Sequence, residues 1–250
     1  MNLDFKHRLA RRERLIGTLL TLPVPEFAEI CVEAGFDWLF LDMEHGTLDV
    51  QDVQRIAQAV ANRCACIVRM PANEEAWIKK VLDTGVDGII IPHVNTVEQA
   101  QSAVRFSRYP PQGERSVALA RAQRFGPGFQ EYLATANERV ALIVQAEHID
   151  AVQNIGDIVN VPGIDAVLVG PFDLSASMNK PGQISDPQVQ AAITRVKQAC
   201  AHKHMPLAIF ARDVMTGKRA FQDGFDFVAV GSEASHYFAT MSQVVKALRE

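Results

Sequence analysis

The stretch WLFLDMEHGTLDVQDVQRIAQAVANRCACIVRM, residues 38–70, carries the pattern that decides the fold. An apolar run, WLFLD (38–42), is followed by Val50, Val53, Ile56 and Val60 at helical spacing, then by a second apolar run, CACIVR (64–69). Apolar residues every three or four positions mark an amphipathic helix, and short unbroken apolar runs mark strands covered on both faces, as in a parallel sheet. Strand, helix and strand of this kind make one β-α-β step. Outward from it the step repeats. IGTLLTL (16–22), GIIIP (88–92), VALIVQAE (140–147), AVLVG (166–170), PLAIFA (206–211) and FVAVGS (227–232) bring the strand candidates to eight. AGFDW, TGVDG and DGFDF each read as a helix C-cap glycine followed by a turn into the next strand.

Eight β-then-α units in 250 residues is the size and rhythm of a single (β/α)8 barrel, an α/β fold spanning residues 1–250 as one catalytic domain. The alternative, an open doubly wound sheet, usually places a glycine-rich loop after its first strand, and TLPVPEF (21–27) is not one. One connection stands out: YPPQGERSVALARAQRFGPG (109–128) is long for a compact domain, and long loops are often functional.

Composition excludes several classes. Hydrophobic residues make up 48% and charged residues 22%, ordinary for a globular protein, and a formal net charge of −4 gives no reason to expect a nucleic-acid partner. No apolar stretch approaches the roughly 18 residues that would span a bilayer, and MNLDFKHRLARRERLIG lacks the apolar segment of a signal peptide. Cys31, Cys64, Cys66 and Cys200 have neither CxxC nor metal-type spacing and read as buried thiols. A cytoplasmic protein is expected.

In such a barrel the chemistry lies at the C-terminal ends of the strands. Those ends offer Asp42 and His45, Arg69, His93, Gln145 and Glu147, Asp173, Arg212 with Asp213, and Ser232 with Glu233. Gln145 and Glu147 are two apart, so both point to one face of their strand. Carboxylates from adjacent strand ends, here Glu147 and Asp173, can converge on one hard divalent cation; alternatively, Glu147 pairs with Arg69 and Asp173 caps a short helix. Arg69 shares a face with Ala65 and Ile67 and points inward, where a guanidinium must find an anion, and a substrate carboxylate suits its fork. His45 can serve as a general base oriented by Asp42, or as a turn histidine making local hydrogen bonds. Glu44 is expected on the opposite strand face, solvated or paired, and His93, His202 and His204 are weaker candidates. Lysines argue by absence: none lies on a predicted strand, where Schiff-base aldolase chemistry would need one, so if carbonyl chemistry takes place here a metal is the better electrophile.

LDMEHG, VRM, QAEH and VGPFDLS, in this order on alternating units, together with the PPxGxRS…ARA segment at 110–122, resemble the HpcH/HpaI aldolases, which are class II, metal-dependent pyruvate aldolases. The resemblance spans essentially the whole chain. It implies that Glu147 and Asp173 ligate Mg²⁺, Mn²⁺ or Co²⁺. It further implies that Gln145, Arg69 and the turn Gly170, Pro171, Phe172 and Asp173 hold a 2-oxo acid, pyruvate or hydroxypyruvate, with an aldehyde as the second small-molecule partner. His45 would be the base with Asp42 in support, and Asp83 would assist at a neighbour's site in a homohexamer built as a trimer of dimers. The chain departs from the heptanedioate enzymes in the shorter loop after Gly113, ERSVALARAQRFG (114–126). Phe172 and Phe210 also line the expected site, which leaves the acceptor aldehyde open. On this reading the loop arginines Arg115, Arg121 and Arg124 meet the acceptor or a neighbouring subunit. Two rivals are an acyl-CoA lyase of the citrate-lyase β-subunit type, whose phosphate-binding candidates are those same arginines, and a non-catalytic barrel.

Overall fold

The structure is a computed structural model that describes residues 5–249; residues 1–4 and 250 of the expected domain lie outside the described residues. Eight strands close into a barrel in chain order: β1 (Leu15–Leu20), β2 (Trp38–Asp42), β3 (Ala65–Arg69), β4 (Gly88–Ile91), β5 (Ala141–Ala146), β6 (Ala166–Val169), β7 (Leu207–Ala211) and β8 (Phe227–Ser232). Every neighbouring pair is parallel, including β8 with β1. All eight expected runs are strands, with ends moved by at most two residues.

Helices α2 (Pro25–Glu33), α3 (Val50–Val60), α4 (Glu75–Asp83), α5 (Val97–Ser107), α6 (Phe129–Arg139), α7 (Ile149–Ile158), α9 (Pro187–His202) and α10 (Val214–Gln222) return the chain between strands. The short α8 (Pro171–Ser177) follows β6, α1 (Phe5–Ala10) precedes the barrel and α11 (Glu233–Arg249) ends it. Asp49 caps α3 and Thr96 caps α5 with reciprocal side-chain and backbone hydrogen bonds, which fix where each loop hands over to its helix.

Two apolar layers follow from the strand alternation. Outward residues such as Cys66, Val68 and Val144 pack under the helices, and inward residues such as Phe40, Ile67, Ile143 and Leu168 fill the barrel. The N-terminal mouth is closed by α1, whose Phe5 ring lies 6.1 Å from Trp38 and 6.2 Å from Phe227. The aspartates that immediately precede β2, β4, β6 and β8 have a common role. Asp37, Asp87, Asp165 and Asp226 each accept a hydrogen bond from the backbone N–H of Ile16, Cys66, Leu142 and Leu207 respectively, at 2.8–2.9 Å. They thereby satisfy amides at the sheet edge that the strand ladders leave open. All four cysteines are buried thiols; burial pushes Cys31 up to about 11 and Cys64 and Cys200 to about 12, so none is poised as a nucleophile.

The long 109–128 connection joins α5 to α6, which leads into β5, and it meets the C-terminal ends of α3 and α4 at the face away from the expected chemistry. Arg115 is buried between the rings of Tyr109 and Tyr132, 4.6 and 5.5 Å from their centroids, and pairs with Asp83 at 2.8 Å. Arg121 donates to the carbonyls of Thr84 (2.6 Å) and Ala57 (3.3 Å). The expectation that these arginines meet the acceptor is therefore corrected within one chain: they tie the loop to the ends of α3 and α4.

Candidate active site

The C-terminal mouth gathers its polar side chains from four strands and the turns after them. Asp42 ends β2 and Arg69 ends β3, and the two are register partners. The Asp42 carboxylate accepts from Arg69 Nε at 2.9 Å and Nη2 at 2.7 Å, and its Oδ1 also takes the backbone N–H groups of Glu44 (3.0 Å) and His45 (3.2 Å). Burial alone would raise the Asp42 carboxyl, but the hydrogen bonds and charge of Arg69, with those two amides, outweigh it and hold the group below its ordinary value. Arg69 also stands over the Phe40 ring, 5.3 Å from its centroid.

This geometry corrects the expected partnership between Asp42 and His45. The Asp42 carboxylate touches the His45 main chain, while the His45 ring is largely exposed and its Nε2 lies 3.9 Å from Glu44 Oε2. The cause is the β2–β3 register, which aligns a carboxylate with a guanidinium that needs an anion.

Glu44 requires a larger correction. It was expected on the outer face, but only 9% of its side chain is exposed, and it reaches three cations or potential cations. Its carboxylate lies 3.2 Å from Arg69 Nη1, 3.1 Å from His93 Nε2 and 3.9 Å from His45 Nε2. Glu44 lies two residues past Asp42, so a period of two puts it on the same inner face, and the turn amides that Asp42 accepts hold it over the barrel mouth. Oε2 of Glu44 remains buried without an aligned hydrogen-bond donor.

His93 follows β4 in a left-handed conformation, φ +54°, which directs its backbone N–H to Glu147 Oε1 at 2.8 Å and its Nδ1 to within 3.4 Å of the same oxygen. The sequence offered the signal, a histidine at a strand end, but ranked it low. Glu147 is almost fully buried, and its other oxygen bonds the Gln145 amide nitrogen, leaving Gln145 Oε1 unpartnered. Burial raises the Glu147 carboxyl; the His93 amide opposes this, and the negative charges of Glu44 and Asp173 add to it. A Cβ on Gly170 would lie 2.9 Å from Glu147 Cβ and 3.0 Å from Gln145 Nε2, so a glycine lets the β6–α8 turn sit this close. Asp173 lies in the first turn of α8, whose N-terminus carries no side-chain cap.

Glu44, His93 and Glu147 offer ligand atoms within 4.8 Å of one another, close enough to share one ion. Beside them lies a cavity of about 250 Å³ lined by His45, Arg69, Gln145, Gly170, Pro171, Phe172, Asp173 and Phe210, with Leu19, Phe40 and Leu168 as floor. Thus the structure brings every expected site residue to this mouth or its immediate wall except Asp83, which ends α4 at the other face. A larger cavity of about 720 Å³ at that face is lined by Arg121, Arg124 and Arg139 among others, but Arg121 is committed to carbonyls and Arg124 to Glu131 at 2.7 Å.

A closed eight-stranded parallel barrel with buried carboxylates, an amide and an arginine at its C-terminal mouth defines an enzyme site. Residues 16–239 match the HpcH/HpaI aldolase/citrate lyase family model, and the chain belongs to that family. It is 38% identical over 252 residues to the hydroxypyruvate/pyruvate aldolase of Cupriavidus necator, covering 100% of this chain and 93% of that protein. It is 38% identical over 240 residues to the 2-keto-3-deoxy-L-rhamnonate aldolase of Salmonella typhi, covering 93% and 88%. The crystal structure of an HpcH/HpaI aldolase/citrate lyase family protein from Burkholderia cenocepacia superposes with a TM-score of 0.95 at 35% identity, covering all of both chains. The chain is an aldolase, a carbon–carbon lyase.

Proposed function

We propose that the protein is a divalent-metal-dependent aldolase that reversibly cleaves 4-hydroxy-2-oxo acids into pyruvate or hydroxypyruvate and an aldehyde. One observation carries this reading: Asp173 and Gln145 line a cavity of about 250 Å³, a size that suits a small oxo acid and a short aldehyde, and Glu147 stands beside it with the Glu44–His93 pair within reach.

The donor set fits Mg²⁺, Mn²⁺ or Co²⁺. Carboxylate oxygens dominate it, no thiolate is near, and Oε2 of Glu44 and Oε1 of Gln145 are buried without an aligned hydrogen-bond donor. In this reading Glu147 and Asp173 hold the ion, and Glu44 and His93 complete or buttress the set. When bound, the ion supplies a Lewis-acid charge beside the 2-oxo group, where negative charge develops on cleavage. The chain's own residues do the rest. Arg69 and the Gln145 amide orient the oxo-acid end, and the Gly170–Asp173 turn closes around it. Leu19, Phe40 and Leu168 exclude water from below, which strengthens each electrostatic contact. His45, exposed at the cavity wall, takes the proton from the 4-hydroxyl during cleavage. Asp83 would act at a neighbour's site in a hexamer, a trimer of dimers, in the cytoplasm.

The acyl-CoA lyase alternative loses its phosphate site, since Arg115 is buried and Arg121 is bonded to carbonyls at the opposite face. No described helix is long and apolar enough to cross a membrane. The test is direct. Metal-stripped protein should neither exchange the methyl protons of pyruvate, followed by NMR, nor form adducts with an aldehyde panel, followed by mass spectrometry. Readdition of Mn²⁺ or Mg²⁺ should restore both. Full activity without metal, or turnover of acyl-CoA thioesters alone, would overturn the reading.

A further inference from the structure

Glu233 is a buried acid that the proposed reaction does not use. It opens α11 directly after β8, at the same rim as the candidate site, and is 4% exposed. Its Oε1 accepts three hydrogen bonds from the exit of β1: the Thr21 backbone N–H at 2.6 Å, the Leu22 backbone N–H at 2.7 Å and the Thr21 hydroxyl at 3.0 Å. Its Oε2 is buried without a hydrogen-bond partner. Hydrogen bonds to a carboxylate are roughly twice as strong as neutral ones, so the first residues past β1 are held firmly to the end of β8.

The other side of the same peptide group leads to His45. The Leu22 N–H and the Thr21 carbonyl belong to one planar unit, so fixing the first fixes the second. That carbonyl accepts from the Thr47 backbone N–H at 3.2 Å and from the Thr47 hydroxyl at 3.4 Å. A Cβ on Gly46 would lie 3.0 Å from the Thr21 carbonyl oxygen and 2.4 Å from that of Asp42, so the turn presses on the β1 exit where it has no side chain. His45 immediately precedes this contact and lines the cavity. Its side chain is 61% exposed and approaches Glu44 only at 3.9 Å, so the backbone of its turn is what orients it. The turn has two moorings. Asp42 Oδ1 takes the His45 N–H at one end, and the Thr21 carbonyl holds Thr47 at the other.

We infer that Glu233 is a positioning residue for His45, acting through the Thr21–Leu22 peptide and the Thr47 end of the His45 turn. It touches neither the cavity nor the reacting atoms. It sets where the second mooring stands, and so where an otherwise exposed imidazole meets the substrate hydroxyl. The inference rests on the proposed proton transfer by His45. Glu233→Ala removes all three acceptor contacts and frees the β1 exit, whereas Glu233→Gln keeps an amide oxygen at the Oε1 position and keeps the mooring.

A mutant cycle on the Mn²⁺-loaded full chain tests it, with cleavage of the adduct of pyruvate and a two-carbon aldehyde as the reaction and calorimetry for pyruvate binding. Glu233→Ala should lower kcat by about 10- to 100-fold, the scale of a misplacement by about 1 Å, and leave the pyruvate dissociation constant within about two-fold. Glu233→Gln should recover most of the rate. Added to His45→Ala, Glu233→Ala should change kcat by less than about two-fold, because residues that act as a unit are not additive. A full further loss in that background, with His45→Ala itself costly, would leave Glu233 a structural residue and overturn the inference alone. An equal fall in pyruvate affinity would do the same. A near-silent His45→Ala overturns the proposed base, and the inference with it, while metal-dependent cleavage stands. Should far-UV circular dichroism show Glu233→Ala unfolded, Gly46→Ala carries the same test from the other side. Its methyl must push the turn off the Thr21 carbonyl, with the same loss of kcat and the same silence beside His45→Ala.

Discussion

The Asp42 carboxylate and the Arg69 guanidinium, register partners at the ends of β2 and β3, share two hydrogen bonds of 2.9 and 2.7 Å inside the barrel mouth. The pair leaves one face of Arg69, its Nη1 side, toward Glu44 and the cavity, so a substrate carboxylate meets a guanidinium already fixed in orientation. Fixing it costs nothing further when substrate arrives, which is the value of preorganisation.

Breaking that pair should be expensive. Asp42→Asn leaves Arg69 buried with a poorly aligned second anion, and removing one partner of a buried pair typically costs about 3–5 kcal/mol. Because the folded Asp42 carboxyl is held below its ordinary value of 3.8, its stabilisation is fully present above that pH and is lost as pH falls through the lower folded value. Urea titrations from neutral to acid pH should therefore show a steep acid loss in wild type and a weaker one in Asp42→Asn. A double-mutant cycle should couple Asp42 to Arg69 and couple it far less to the His45 ring. Strong coupling of Asp42 to His45→Ala would restore the oriented-base arrangement.

Metal binding should depend on Glu44 as well as on Glu147 and Asp173. An ion at 100 times its dissociation constant stabilises the folded state by about 2.7 kcal/mol, visible as a rise in melting temperature. Glu147→Gln should abolish that rise, and Glu44→Gln should weaken it substantially. His93→Ala should weaken it least, since its ring is the most exposed of the three. An unchanged Mn²⁺ isotherm for Glu44→Gln would reduce Glu44 to a partner of Arg69.

Much of this architecture was legible in the sequence because one rule generated it. Unbroken apolar runs at regular intervals produce buried parallel strands, and within a strand a period of two correctly turned Arg69, Gln145 and Glu147 inward with Ile67 and Ile143. The same rule holds beyond the strand ends, at Glu147 one residue past β5 and at Glu44 two residues past β2. Glu44 shares a face with Asp42 by that period, so the expectation of an outer Glu44 went against it, and the turn hydrogen bonds of Asp42 keep the carboxylate there. Lateral partners were also invisible, because the Asp42–Arg69 alignment is a property of register between two strands and appears in neither alone. The position of the 109–128 loop could have been read: chain that follows a barrel helix and precedes the next strand belongs to the face opposite the chemistry.

For that reason Arg121→Ala should act on stability rather than selectivity. It removes hydrogen bonds to the Thr84 and Ala57 carbonyls, each worth about 0.5–1.5 kcal/mol net. Chemical denaturation should show the loss, while pyruvate proton exchange per folded site stays near wild type. A changed aldehyde preference with intact stability would return the loop to a site, necessarily a neighbour's.

Acceptor choice should instead lie with Phe172 and Phe210, whose rings form a tilted pair in the cavity lining, with centroids 6.4 Å apart and planes at 58°. Neither ring is in the buried core, so shortening one leaves a solvent-connected space rather than a sealed void, and the cost in stability should fall below the about 3–5 kcal/mol of a core Phe→Ala change. The space gained should admit aldehydes longer by a few carbon atoms. Each methylene accommodated in an apolar pocket is worth about 1–3 kcal/mol in discrimination. Phe210→Ala should therefore raise kcat/KM for a longer aldehyde relative to a two-carbon aldehyde by roughly 10-fold or more. Exchange at the pyruvate methyl should stay nearly constant, because Arg69, Gln145 and the carboxylates that hold the oxo-acid half are untouched. Competition between two aldehydes in one reaction, read as the product ratio, checks this directly. Equal loss with both aldehydes and with proton exchange would place Phe210 under the oxo acid instead.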